Sequence, residues 1–196
     1  MIQRFRQAHI DDIARLHCAS LQGLLSELGL PVARAFYTGC ARAPSAVGFV
    51  ALEDENALIR GYVMGSIHPA RLKYEVLRRN PLGTVAALCV GFAKRPSSLG
   101  WFLKSFRGPD EGAYDAHAAE LTYLAVRSDA RGRGIGKQLV DSFTQAIREA
   151  GVGSYELSVD ENNQAALRFY QERGFQVIGR YREFGIAHQR LRKPVS

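Results

Sequence analysis

At 196 residues, 46% of them hydrophobic, the chain can bury one sizeable core and is long for one compact domain. Its 26 lysines and arginines outweigh 19 acidic residues by a formal +7, which suits a polyanionic partner: nucleic acid, a phosphorylated cofactor or an acidic membrane surface. No run of about 18 apolar residues is present and "MIQRFRQAHIDDIARL" lacks a signal-peptide pattern, so a cytoplasmic protein without a membrane span is expected.

Cys18, Cys40 and Cys89 form no CxxC pair and no set with the scattered histidines. They are expected to be reduced, mostly buried and without a metal.

In chain order, "IQRF" reads as a short strand. Ile10, Ile13, Leu16, Leu21 and Leu24 then form a helical stripe that Gly29 and Pro31 should end. A second helix gathers Val32, Ala35, Phe36, Tyr37 and Cys40 on one face, and the Ala43-Pro44 step closes it. "VGFVALED" and "LIRGYVMGSIH" read as a β-hairpin turning through Asp54, Glu55 and Asn56.

Residues 68–117 break this pattern and read as helical pieces interrupted by proline and glycine. The segment carries Arg71, Lys73, Arg78, Arg79, Lys94, Arg95, Lys104 and Arg107 with the single tryptophan, Trp101. Such charge is a solvated face or a cap over a substrate site; no nucleic-acid-binding motif accompanies it.

After this segment the pattern sharpens to β-α-β-α-β. "AELTYLAV" is a central strand, with Leu121, Tyr123 and Ala125 alternating against Thr122, Leu124 and Val126. Ile135, Leu139, Phe143 and Ile147 line a helix that Gly151 ends, and "SYELSVD" buries Tyr155, Leu157 and Val159. Asn162 or Asn163 caps a short helix that Gly174 terminates before the strand "FQVIG".

Between the central strand and its helix lies "RSDARGRGIGKQ". The spacing from Gly132 to Gly136 is one residue short for a P-loop, and Gln138 stands where its hydroxyl belongs. The dinucleotide fingerprint fails as well, because Lys137 replaces its third glycine. What remains is Arg131-x-x-Gly134-x-Gly136 opening a helix straight after a strand. Bare glycine backbone and a helix N-terminus suit a pyrophosphate.

Here the residues resemble the GCN5-related N-acetyltransferase (GNAT) superfamily. "ELTYLAVRSDARGRGIGKQLV" is similar to its acyl-CoA-binding motif. "NQAALRFYQERGF" fits its second motif at Asn163, Ala166, Tyr170, Gly174 and Phe175. The likeness is strong over residues 118–181, rests on element order alone over residues 1–67, and does not reach the insertion.

The resemblance implies an α/β (α+β) fold in which helices flank a mixed central sheet. Residues 1–196 would form one domain, with a helical, substrate-side insertion at 68–117 between the third and fourth strands. It implies acetyl-CoA as cosubstrate and an amine acceptor, such as an amino sugar, a sugar nucleotide or a peptide; a non-catalytic acyl-CoA-binding module is the alternative. Leu124, Ala125 and Val126 would meet the pantetheine through their backbone. Arg131, Gly132, Arg133, Gly134, Ile135, Gly136 and Lys137 would hold the pyrophosphate, and Asn163 would touch the cofactor.

Glu120 is similar to the superfamily's general base, with Glu156 or Glu75 as substitutes, and Tyr170 to its general acid. A homodimer is the family analogy, and no nucleic-acid partner is expected.

Overall fold

The computed structural model describes residues 1–53, 58–97, 99, 100, 102, 118–183 and 185–195. In chain order it contains β1 (Ile2–Arg4), a 3-10 turn (Gln7–His9), α1 (Ile10–Ser20), α2 (Leu24–Leu28), α3 (Leu30–Cys40), β2 (Ala46–Leu52) and β3 (Ile59–Ser66). The insertion supplies α4 (Pro69–Arg79) and α5 (Pro81–Lys94). Then come β4 (Ala119–Val126), a 3-10 turn (Ser128–Ala130), α6 (Ile135–Glu149), β5 (Ser154–Asp160), α7 (Gln164–Gln171), β6 (Gln176–Glu183) and β7 (Ile186–Pro194).

Among the described residues the strands form one mixed sheet in the order β1-β2-β3-β4-β5-β7-β6, in which only β4 and β5 run parallel. One face is covered by α6 and α7, whose Leu139, Val140, Phe143, Ile147, Leu167 and Tyr170 pack on Val63, Leu121, Tyr155, Leu157 and Leu191. The other face carries Ile13, Tyr37, Leu72 and Val76 of α1, α3 and α4 on Val50, Tyr62 and Met64. α5 packs outside α3 through Ala87, against Leu28, Val32 and Ala35.

Several expectations are corrected by packing. The expected first helix is two. α1 ends at Ser20, Gly23 takes φ 131°, and α2 resumes. Gly29 does end a helix, but Pro31 stands in the first turn of α3, where its missing N–H costs nothing. The alternation along β4 also slips. Tyr123 pairs with Met64 and Leu121 with Gly65, so Thr122 is an extra residue. Beyond this bulge Leu124 and Val126 join Leu121 on the α6 face, while Tyr123 and Ala125 turn to the other. Gly65 permits it, since a Cβ there would lie 2.0 Å from the Glu120 carbonyl oxygen.

Sequence reading missed β7 altogether. The chain continues beyond "FQVIG" through Glu183 and returns between β5 and β6. Of the cysteines, Cys40 is buried and Cys18 partly so, but Cys89 is exposed on α5. The hairpin turn at Asp54, Glu55 and Asn56, together with Trp101, Lys104 and Arg107, lies outside the described residues.

Under α1 and α3 sits a buried polar knot. His17 Nδ1 lies 2.8 Å from the Tyr37 hydroxyl and 2.9 Å from that of Tyr62, and the two hydroxyls are 2.8 Å apart. Burial pushes the histidine down to about 4 from an ordinary 6.5, so it is neutral; with Nδ1 as acceptor, one hydroxyl can donate to it and the other to the first hydroxyl's oxygen.

Because the folded value is the lower one, the unfolded chain takes up the proton first. The histidine's contribution is whole above about pH 6.5 and is lost as the pH falls towards 4. Urea unfolding between about pH 7 and about pH 4.5 should show a loss on the order of 2–3 kcal/mol from this group. His17→Gln should flatten that slope.

Candidate active site

The parallel pair β4–β5 is short. Ala119 faces Tyr155 and Glu120 faces Glu156, after which β5 stays with β7 and β4 with β3. From Leu121 to Val126 the β5-facing edge of β4 has no strand partner among the described residues, and Thr122 is exposed in mid-sheet. Unpaired backbone amides and carbonyls therefore line a wedge that an extended chain with its own amides can fill. Leu124, Ala125 and Val126 all lie along it.

At the open end of the wedge the chain turns into α6. Arg127 N–H donates to the Arg60 carbonyl at 2.8 Å, and the Asp129 carboxylate accepts from Arg127 and from Arg60, which fixes the turn to β3. The hydrogen bond from Arg127 holds the Asp129 carboxyl below its ordinary range. Gly132 and Gly134 both take φ 76°, the left-handed region that glycine enters without strain.

Gly134 is the N-cap of α6 and no side chain caps that end. The first-turn amides of Ile135, Gly136 and Lys137 thus lack intrahelical acceptors and point outward with the positive end of the helix dipole. A Cβ on Gly136 would sit 3.3 Å from the Phe169 ring, so this glycine sets how closely α7 approaches the loop.

Three cations surround these amides. Arg131 Nε donates to the Val126 carbonyl at 3.2 Å, bringing its guanidinium over the end of β4. Arg133 is exposed. Lys137 makes an exposed pair with Asp141 at 2.8 Å, of the kind worth little in water and easily exchanged for an anion. Asn163 is the N-cap of α7, its Oδ1 accepting from Ala166 N–H at 3.1 Å.

Tyr170, on α7, packs edge-to-face on Phe169 and Phe175 at 5.1 and 5.3 Å. Burial drives its phenol well above the ordinary range, with Tyr155 nearby adding to the effect. It is a permanent hydrogen-bond donor at neutral pH.

At the closed end of the wedge lies a charge network that sequence reading did not find. Arg190 of β7, 2% exposed, donates through Nε to Glu156 at 2.7 Å, and through Nη1 to Glu120 at 3.0 Å and Ser158 at 2.9 Å. Arg192 Nε reaches the other Glu156 oxygen at 2.8 Å. Glu156 is fully buried between two guanidinium groups, and Glu75 accepts from Ser45 N–H and Oγ at 3.2 and 2.7 Å. Of the three glutamates considered as bases, only Glu120 stands on β4, at the last pair before its β5-facing edge becomes free, its side chain 16% exposed. Among the described residues, no three His, Cys, Asp or Glu side chains group to hold a metal.

A protein-family profile described as the acetyltransferase (GNAT) family matches residues 10–175. The chain belongs to that family, whose members use acetyl-CoA.

Among curated proteins the chain is similar to the mycothiol acetyltransferase of Beutenbergia cavernae, 35% identical over 72 residues, covering 37% of this chain and 24% of that one. It is also similar to the probable N-acetyltransferase family 8 member 5 of Mus musculus, 37% identical over 67 residues, covering 34% of this chain and 30% of that one. The chain thus aligns with less than a third of either relative. A solved structure titled as that of an acetyltransferase covers both chains fully, with TM-score 0.65 and 19% identity, a likeness of fold.

Replacing Arg190 by methionine should strand Glu156 as a buried, half-paired carboxylate and cost about 3 kcal/mol in urea unfolding. Adding Glu156→Gln to that variant should restore part of the loss.

Proposed function

We propose that the chain is an acetyl-CoA-dependent N-acetyltransferase. The observation that carries this reading is the wedge between β4 and β5 opening onto an uncapped, glycine-flanked helix N-terminus. Free strand edge suits the pantetheine amides, and the amides of residues 132–137 with Arg131, Arg133 and Lys137 suit the pyrophosphate. The two parts of the site match the two parts of the cosubstrate.

The acceptor amine enters from the face of Tyr123 and Ala125, opposite α6. Its nitrogen attacks the thioester carbonyl; a C–N bond forms and, as the tetrahedral centre collapses, the C–S bond breaks. Glu120 takes the amine proton, directly or through water. Its ion pair with Arg190 fixes its position at the split.

Tyr170 meets the departing sulfur. With its phenol pushed so far up, sharing a hydrogen bond with the thiolate is cheaper than surrendering the proton, so Tyr170 acts chiefly as a donor that steadies developing charge. Asn163 stands beside this helix start and contributes a cofactor contact.

For the acceptor, the half-buried rings of Phe36 and Tyr123, 6.1 Å apart on the same face as Glu120, favour a small amine on an apolar ring, such as an amino sugar. The name of the mycothiol acetyltransferase points the same way, to a small-molecule acceptor.

Calorimetric titration should find about one site per chain for both acetyl-CoA and desulfo-CoA, and absence of both would end the proposal. Gly134→Val should weaken that binding about tenfold or more by straining the turn at φ 76°. Tyr170→Phe should instead leave binding nearly unchanged and lower kcat about tenfold or more. Equal kcat for Tyr170→Phe, with chemistry rate-limiting, would remove Tyr170 from the mechanism.

A further inference from the structure

α5 breaks the usual rule for a surface helix. From Leu82 to Ala93 it holds no charged residue. One face is buried, with Ala87 and Gly91 against Leu28 and Val32. The opposite face, with Leu82, Val85, Ala86, Cys89, Val90 and Ala93 at helical spacing, is exposed. Leu82 is 85% exposed, Val85 54% and Val90 43%. A helix apolar all round expects apolar surroundings on both sides, and here one side faces outward.

The stripe is bracketed by cations, with Arg78 and Arg79 just before the helix and Lys94 and Arg95 at its end. Over residues 69–97 the sequence has six lysines and arginines and one acid, Glu75, which is turned inward onto Ser45. Arg95 pairs with Glu27, whereas among the described residues no acid pairs with Arg71, Arg78, Arg79 or Lys94. At 14 residues, or about 21 Å, α5 is too short to cross a bilayer. No helix among the described residues is long and apolar enough to do so.

We infer that α5 is an interfacial helix that seats the protein on an anionic bilayer surface. The apolar stripe enters the headgroup boundary and the arginines and lysines at its two ends meet lipid phosphates. A second copy fits less well, since two-fold pairing of this face would bring Arg78, Arg79 and Lys94 of one copy near those of the other, and among the described residues no acid pairs with them.

The test is co-sedimentation of the full chain with phosphatidylcholine vesicles, with and without phosphatidylglycerol. The wild type should pellet with the anionic vesicles only, less so at high salt. Leu82→Glu/Val85→Glu and Arg78→Glu/Arg79→Glu should each lower the partition coefficient about tenfold or more. Leu82→Ser/Val85→Ser offers a milder change of the same face. Circular dichroism and, separately, acetyl-CoA titration check each variant, so a failure of the acetyltransferase reading is seen apart from a failure of this one.

Absence of wild-type partition, or partition unchanged in both charged variants, would overturn the inference. So would a dimer in light scattering that Leu82→Glu/Val85→Glu turns into monomer, which would give the face to a second copy.

Discussion

The Glu120–Arg190–Glu156 bridge closes the sheet at the point where it must come apart. Parallel strands β4 and β5 share only two residue pairs, and both glutamates stand on the second of them. Two carboxylates side by side on neighbouring strands repel; one buried guanidinium between them turns that repulsion into a tie. Above the tie β4 belongs to β3 and β5 to β7, and the wedge between them is the proposed cosubstrate site. The bulge at Thr122 starts the separation, and Gly65 gives it room.

The rest of the site follows from this separation. Once β4 is free of β5, its edge offers backbone groups that need partners, and its C-terminal end delivers the chain to the start of α6. The anion binding proposed there would owe more to backbone than to side chains: left-handed glycines turn the chain, and the helix begins without a side-chain cap. α7 then lies beside the loop through Phe169 against Gly136, which brings Tyr170 in behind it. The loop and α7 are thus fitted to one another by a single missing methyl group.

The opposite face is built differently. The His17, Tyr37 and Tyr62 knot anchors α1 and α3 on β3, and Tyr123 of β4 packs edge-to-face on His17 at 4.7 Å. A polar chain of Ser66, Ser45 and Glu75 ties α4 of the insertion to the sheet. The insertion is held through α4 on the sheet and through Ala87 and Gly91 of α5 on Leu28 and Val32, with the apolar stripe of α5 outward.

Much of this could be read from residue order alone. Glycine spacing marked the loop and the start of α6, because positive φ and close backbone approach demand glycine at few places. The pattern from Asn163 to Phe175 marked α7 for the same local reasons of capping, packing and termination.

The sequence could not show which charges are buried. Arg190 lies in "HQRLRKP", where alternating cations look like a solvated edge, and only the return of β7 between β5 and β6 sets it beside two glutamates far away in the chain. It could not show the slip at Thr122 either, since a bulge leaves composition unchanged and appears only when two strands are paired. Local backbone chemistry was written in the sequence; long-range pairing, which decides where a charge is buried and which face a side chain takes, was settled by the tertiary structure.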